Sequence, residues 1–400
     1  MAGTTGIGTT FSLPNYHGEL LAVTPSDTPF LSAIGAGGGK QTTSTSFEWQ
    51  TYDLRQASQP GVLEGAAAPT AEERVRANVS NVVQIHQEQV AVSYTKQAAI
   101  GRYTTPSSAP YRTAGGIDNP VNSELDWQIE QALKTMALDV NWSFINGKFN
   151  EPSDNTGARK TKGLLQAITS NVESKAAATI TNGSAATDTI TATHAFTNGE
   201  KVVFTDRGAS TAVVEGRVYF VVERVSTTSF KVSATSGGTA ITIGTATVSL
   251  IALSATAVTT TVLGDVLQKV YDNGGLTGGM GTLLVNSPQK RAITKAYADE
   301  YGKADLFAGS REIAGVNALQ IQSDFGVLNV IMDRHVPRDA IIVCSLDQCA
   351  PVFLNIPGKG VFFEEPLAKT GASDAVQLYG EVGLQFGNEK AHGVIRGLPA

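Results

Sequence analysis

The longest stretch of helical periodicity lies between Asn122 and Gly147. Leu125, Ile129, Leu133, Met136, Val140 and Phe144 recur at spacings of three and four, with Ala132 and Ala137 between them. That is the period of one helix face. A helix over 122–147 is roughly 35–40 Å long, about twice the ordinary globular helix. Pro120 precedes it, Asn122 or Ser123 can cap its first amides, Glu124 and Asp126 suit the positive end of its dipole, and Asn146-Gly147 ends it. Trp127, Leu138, Trp142 and Ile145 make a second apolar stripe roughly opposite the first, and only Glu130, Lys134 and Asn141 form a clearly polar wedge. Two apolar faces require partners on two sides. The helix is either central to a monomeric core, or a spine covered by its own sheet on one side and by other layers or subunits on the other.

Upstream, Met1 to Gly39 is rich in Gly and Thr and poor in core-forming residues. It reads as an extended arm with one short apolar anchor at Phe30-Leu31. Such an arm does not offset its ordering entropy alone and orders by lying across something else. From Phe47 to about Tyr94 the alternation of Phe47, Trp49 and Thr51, answered by Val90, Val92 and Tyr94, predicts a long two-stranded excursion. Its tip holds Gln59-Pro60-Gly61 and a Gly-Ala-Ala-Ala-Pro stretch. Val83 and Ile85 are out of phase with Val90 and Val92, which predicts a bulge or a change of buried face. A long hairpin with so few core residues needs a surface to lie on.

Downstream, Leu164 to Ile168 is a short apolar return. From about Lys175 to Thr260 the chain is Thr, Ser, Ala and Val rich, with β runs at Lys201–Phe204, Arg217–Val222, Ser229–Ser233 and Ala240–Val248. Asn182-Gly183, Asn198-Gly199 and Gly237-Gly238 are the turn signals. This predicts a small inserted all-β domain. The pattern then returns to mixed α/β: a helix over Val262–Asn273, a glycine-rich loop at Gly274–Gly281, a strand at Leu283–Val285 and a helix opened by Ser287-Pro288. Strands follow at 318–322, 327–332 and 340–343. Val376, Leu378, Val382, Leu384 and Phe386 share the parity of a long half-buried strand, and His392 to Ile395 makes a last one.

Four hundred residues imply two or three domains. Only 16% are charged, against about 25% in ordinary domains. That suits a chain hiding much of itself against neighbours. A net charge of −6 gives no electrostatic case for a nucleic-acid binder. No run of 18 apolar residues exists, and Met1–Thr10 lacks the features of a signal peptide. Cys344 and Cys349 are neither Cys-x-x-Cys nor beside a His pair at zinc spacing. They read as buried reduced thiols in a chain made and used in a reducing cytosol.

No catalytic, cofactor-binding or metal site is predicted. Gly35–Lys40 departs from a Walker loop, with Ile34 at the first glycine position and Gln41 after the lysine. No Gly-x-Ser-x-Gly or His-Glu-x-x-His occurs. Asp333-Arg334-His335 reads as a loop ion pair, and Glu364-Glu365 diverge in an extended segment.

An arm, a long hairpin, a spine helix, an α/β region and returning strands stand in the order of a known α+β fold. The chain resembles the major capsid proteins of tailed bacteriophages, whose fold encapsulins and herpesvirus capsid floors share. The carriers are the stretch from Thr24 to Gly35 (TPSDTPFLSAIG), Phe47–Thr51 (FEWQT), Glu365–Gly371 (EPLAKTG) and Gly387–His392 (GNEKAH); Lys175–Thr260 is not covered. The resemblance implies an N-terminal arm (1–45), an E-loop hairpin (46–100), a peripheral domain with the spine (101–172), the inserted β domain (173–260), an axial domain (261–370) and peripheral return strands (371–400).

It further implies a homo-oligomer of hexamers and pentamers in an icosahedral head. That head is assembled in the host cytoplasm, resides in the virion, and encloses double-stranded DNA without sequence-specific binding or membrane contact. Scaffolding, portal and decoration proteins are the other expected partners. Phe30, Leu31, Trp49, Arg55, Glu64, Arg74, Arg76, Trp127 and Trp142 are the expected inter-subunit contacts. Gly274–Gly281 is a candidate loop at the capsomer centre, and the β insertion is expected to project outward. No lysine lies between Gln41 and Thr95, so a shell without isopeptide welds is expected. The arm starts close to Met1, so a separate scaffolding protein or none is expected, with a mature N-terminus at or near Met1. The alternative is an encapsulin-type shell holding enzyme cargo. An enzyme with an accessory β domain lacks a constellation, and a secreted adhesin or surface-layer protein lacks a signal sequence.

Overall fold

The computed structural model describes residues 26–35, 39–54, 57–68, 70, 73–98, 124–276, 280–301, 310–313, 316–369 and 371–400. Most of the predicted arm, the cap positions before Glu124 and the centre of the 274–281 loop lie outside them. In chain order, α1 (Pro29–Gly35) and β1 (Lys40–Thr42) precede the hairpin of β2 (Ser46–Tyr52) and β3 (Arg76–Val82). Next come β4 (Gln84–Ser93), α2 (Tyr94–Ala98), the spine α3 (Glu124–Asn146), α4 (Leu164–Ala167) and β5 (Val172–Ser174). The insertion supplies β6 (Ala178–Ala186), β7 (Thr189–Thr191), β8 (Lys201–Asp206), β9 (Val218–Arg224), β10 (Ser229–Ser233) and β11 (Ala246–Ala252). The remainder is α5 (Thr260–Asp272), β12 (Met280–Val285), α6 (Ser287–Tyr301), β13 (Ser310–Ile313), β14 (Val316–Ser323), β15 (Gly326–Met332), β16 (Ile341–Cys344), β17 (Ala350–Leu354), β18 (Phe362–Pro366), β19 (Ser373–Gln385) and β20 (Gly393–Arg396).

Contacts divide the chain into two units. The smaller takes the described residues of Met1–Asp27, Gln87–Leu138 and Phe362–Tyr379. Within it β4 and β18 both pair with β19. Val90 and Val92 of β4 and Leu378 of β19 pack on Ala132 and Met136 of the spine, with Leu125 and Ile129 at the margin. This is the first predicted helix face with one exception: Leu133 is exposed, because the cover goes to the side carrying Ala132 and Met136. Lys96 and Glu124 form an ion pair at 2.6 Å.

The larger unit takes Thr28–His86, Asp139–Val361 and Gly380–Ala400. Its centre is a seven-stranded sheet in the order β13-β14-β15-β12-β16-β20-β5. The middle strands are apolar on both faces, because each face has a cover. Leu283 and Val285 of β12, Ile341 and Val343 of β16 and Ile395 of β20 meet Leu263, Val266, Leu267 and Val270 of α5 and Ile293 and Tyr297 of α6. The alternate residues Leu284, Ile342, Cys344 and Val394 face Phe30 and Ile34 of α1, Val140, Phe144 and Ile145 of the spine, Leu164 and Leu165 of α4, and Val382 and Leu384 of β19. Ile145, expected on the opposite stripe, is buried with Phe144, while Trp142 of the same stripe stays 42% exposed. The expected N-cap of α6 moves back one residue. Asn286 Oδ1 accepts from Ser287 N at 2.7 Å, while its amide donates to the carbonyl oxygens of Arg334 and Val336.

The insertion closes into a barrel, β10-β7-β6-β11-β8-β9. Its core holds Phe196, Phe204, Tyr219, Phe230, Val232, Val248 and Leu250. Phe196 meets Phe230 edge-on at 5.1 Å and Phe204 meets Tyr219 at 5.3 Å. Asn182-Gly183 is not a turn between strands. It lies inside β6, where Asn182 adopts φ 55 and the register against β11 shifts. The asparagine supplies the left-handed residue of a bulge. The strand expected over 240–248 begins only at Ala246.

The predicted break in the hairpin's return is real. Val82 and Val83 are both buried, while Ile85 is exposed and His86 buried. β3 pairs with β2, β4 pairs with β19, and Val83 lies between them. Changing partner between β3 and β4 is what changes the buried parity.

Candidate assembly surface

The base of the hairpin is fastened to the larger unit's core. Trp49 donates its indole N–H to the Gly387 carbonyl at 2.8 Å and meets Phe386 edge-on at 4.9 Å. Phe47 stacks on Trp49 at 6.0 Å. A Cβ added at Gly383 would lie 2.7 Å from both the Phe47 ring and the Val82 carbonyl oxygen, so glycine is what lets β19 pass this closely. Asn81 completes the anchor. Its amide donates to the carbonyl oxygens of Lys162 and Leu384, and its Oδ1 accepts from Lys162 N.

Beyond this base the hairpin carries large apolar side chains into solvent. Leu63 is 87% exposed, Val62 75% and Val75 77%, with Tyr52 and Leu54 also bare. Glu64-Gly65 forms the turn beside them, with Gly65 at φ 80 and Ala66 N bonded to the Leu63 carbonyl. Monomeric proteins avoid such groups of bare aliphatic side chains, and their presence marks an interaction surface.

The expected contact residues fall into three places. Phe30 is fully buried inside the chain's own core, so its ring has no surface to offer a neighbour. Leu31 and Trp49 pack half-buried against the same core. Glu64, Arg74 and Arg76 are exposed on the hairpin, with Arg76 donating to Gln50 across the two strands at 3.0 Å. Arg55 lies outside the described residues. On the spine, Trp127 is half-buried in the smaller unit and Trp142 belongs to the larger one. Trp142, 42% exposed, lines a cleft of about 520 Å³ with Asn146, Val214, Arg217, Arg334 and Arg338.

Two buried polar clusters lie within the larger unit. Asn141, the spine's wedge residue, is buried, and its Oδ1 accepts from Leu31 N at 2.9 Å. Its amide donates to Asp333 Oδ2 at 2.8 Å and meets His335 Nδ1 at 2.7 Å. Asp333 Oδ2 also accepts from Phe30 N at 3.3 Å. Burial pushes the Asp333 pKa up, but hydrogen bonds from His335 and Asn141 outweigh it and hold the carboxyl below the ordinary range. The expected loop ion pair is thus the clasp that docks α1 on the spine.

The second cluster joins Cys344, Cys349 and His392, whose ligating atoms all lie within 4.8 Å of one another. Both thiols are free, with their sulfurs 3.6 Å apart. Spacing rules miss this cluster, because the histidine arrives on the turn after β19.

The family comparison decides what these surfaces belong to. The description of the SU10 major capsid protein family matches residues 3–399. The chain belongs to that family. The capsid subunit also matches the cyanophage A-1(L) capsid asymmetric unit at 13% identity, covering 100% of this chain and 99% of that one, with a TM-score of 0.52. That likeness shows the tailed-phage capsid fold. A chain of Mycobacterium phage Adephagia matches at 13% identity over 96% of this chain and 94% of that one, TM-score 0.48. The holo-SrpI encapsulin of Synechococcus elongatus PCC 7942 matches at 9% over 95% and 92%, TM-score 0.47. No curated protein matches. The protein is therefore a structural subunit of a phage capsid shell, a homo-oligomer residing in the virion.

Proposed function

We propose that the subunit assembles through pentamers and hexamers into an icosahedral head around double-stranded DNA, and that the hairpin is the principal clamp between neighbours. The observation that carries this is the bare aliphatic group at the hairpin's far end, Val62, Leu63 and Val75, on a base locked by Trp49 and Asn81. A rigid base with an uncovered apolar end is a surface awaiting a second copy, and symmetry closes such contacts into a shell. Glu64, Arg74, Arg76, Leu31, Trp49, Trp127 and Trp142 are the further inter-subunit contacts proposed. The barrel is proposed to project outward, and the 274–281 loop to sit at the capsomer centre.

The role is structural rather than enzymatic. With no lysine between Gln41 and Thr95, the shell is held without covalent welds from the hairpin. DNA is enclosed without sequence readout, consistent with the net charge of −6. Assembly takes place in the host cytoplasm with scaffolding and portal proteins, and decoration proteins are the remaining proposed partners.

Electron microscopy and sedimentation of the purified subunit, alone and co-expressed with its neighbouring phage genes, test this reading. Closed shells built on five- and six-fold capsomers support it. Dispersed subunits under both conditions overturn it.

A further inference from the structure

We propose that Cys344, Cys349 and His392 bind one zinc-class divalent cation in the core of the subunit. Cys344 ends β16, Cys349 follows the 3-10 turn Leu346–Gln348, and His392 follows the turn Glu389–Ala391 that leads into β20. Three separate chain segments therefore bring thiophilic donors together, and all three side chains are buried.

Two geometric facts go beyond proximity. The first is the sulfur separation of 3.6 Å. With zinc–sulfur bonds of about 2.3 Å, the edge of a tetrahedral site is about 3.8 Å, so both thiolates reach one ion with almost no movement. The second is the histidine. Its Nε2 lies 2.7 Å from the Phe386 carbonyl oxygen, which can only accept, so the ring hydrogen is on Nε2. Nδ1 is then the acceptor, and it takes the Ser345 N–H in a long bond of 3.3 Å that a bound ion would replace. A backbone carbonyl holding the far N–H is the arrangement that orients metal-ligating histidines. Two cysteines and one histidine leave one coordination position, as in three-ligand zinc sites.

Uptake of the ion replaces both thiol hydrogens, which leave as protons, and no electron transfer is involved. Affinity therefore falls as pH falls.

The test uses wild-type protein purified without chelator from zinc-supplemented cells. Elemental analysis gives one zinc per chain if the proposal holds. Cobalt loading of the same protein gives a sulfur-to-cobalt charge-transfer band, and Cys349→Ala lowers the metal content by about tenfold or more. Protein free of zinc that takes up no cobalt overturns the proposal, whether its thiols are both free or the intact mass shows the two hydrogens lost to a disulfide. The metal count on the wild-type chain decides even where the variant fails to fold.

Discussion

Replacing Asn141 tests the clasp that joins α1 to the spine. In Asn141→Ala the Leu31 N–H loses its acceptor at 2.9 Å and Asp333 loses a donor at 2.8 Å. An orphaned buried donor costs about 1–3 kcal/mol, and a hydrogen bond to a charged acceptor contributes about 1.5–3 kcal/mol. Asp333 keeps its bonds from Phe30 N and His335 N, so a loss of about 3 kcal/mol is expected. Asn141→Asp distinguishes electrostatics from packing, because it sets a second carboxylate against Asp333.

In the wild type the Asp333 pKa is depressed. Its stabilisation is present above the unfolded carboxylate range and is lost as pH falls through the lower folded pKa. In Asn141→Asp the two carboxylates share one proton, so one pKa is raised, and stability returns as pH falls through that raised value. Between about pH 7.5 and about pH 5, where wild-type Asp333 stays ionised, the deficit of Asn141→Asp narrows and that of Asn141→Ala does not. Urea unfolding of unassembled subunits, followed by tryptophan fluorescence, reads both. A pH-independent deficit in Asn141→Asp, or a loss below about 1 kcal/mol in Asn141→Ala, refutes the reasoning.

Other outcomes follow from the same geometry. Gly383→Ala forces its Cβ against Phe47 and the Val82 carbonyl and lowers stability by about 1–3 kcal/mol, with faster amide exchange at the hairpin base. Leu63→Asp lies on bare surface, so unfolding changes by no more than about 0.5 kcal/mol while the yield of shells by sedimentation falls; unchanged yield removes the hairpin tip from the interface. Arg159→Ala takes away the guanidinium 2.8 Å from the nearly buried Glu381 carboxylate and costs about 3 kcal/mol in thermal or urea unfolding.

The spine and the first part of the late strand are legible because each carries one period over a long run, whereas Gly380–Leu384 is buried on both faces. The break after Val82 was legible as a phase error, although only the structure shows that it marks a strand changing sheets. What the pattern hid was tertiary. Phe30 looked like an anchor for a neighbour, because a seven-residue helix flanked by Gly and Thr gives no hint that the chain's own spine and sheet enclose it. Leu133 and Ile145 occupy the helix stripes equally well on paper, and their burial is decided by which side each unit covers. Asn182-Gly183 has the composition of a hairpin turn, but left-handed backbone serves a bulge equally well. The Cys344, Cys349 and His392 cluster depends on a turn returning from a distant strand, which no spacing rule reads.

The closed barrel has a colloidal consequence. Any surface feature of a shell subunit is repeated in every copy, so a weak affinity between two particles is multiplied by the number of copies that meet. An unpaired strand edge is such an affinity, since its free amide and carbonyl groups are a template for another strand. In the ring β10-β7-β6-β11-β8-β9 each strand has two neighbours, so the ring has no edge to donate. Opening it, by deleting β7 for example, would remove the buried Ile190 and bare the edges of β6 and β10. With the barrel on the outer surface, as proposed, it would also turn a dispersed suspension of particles into one that flocculates.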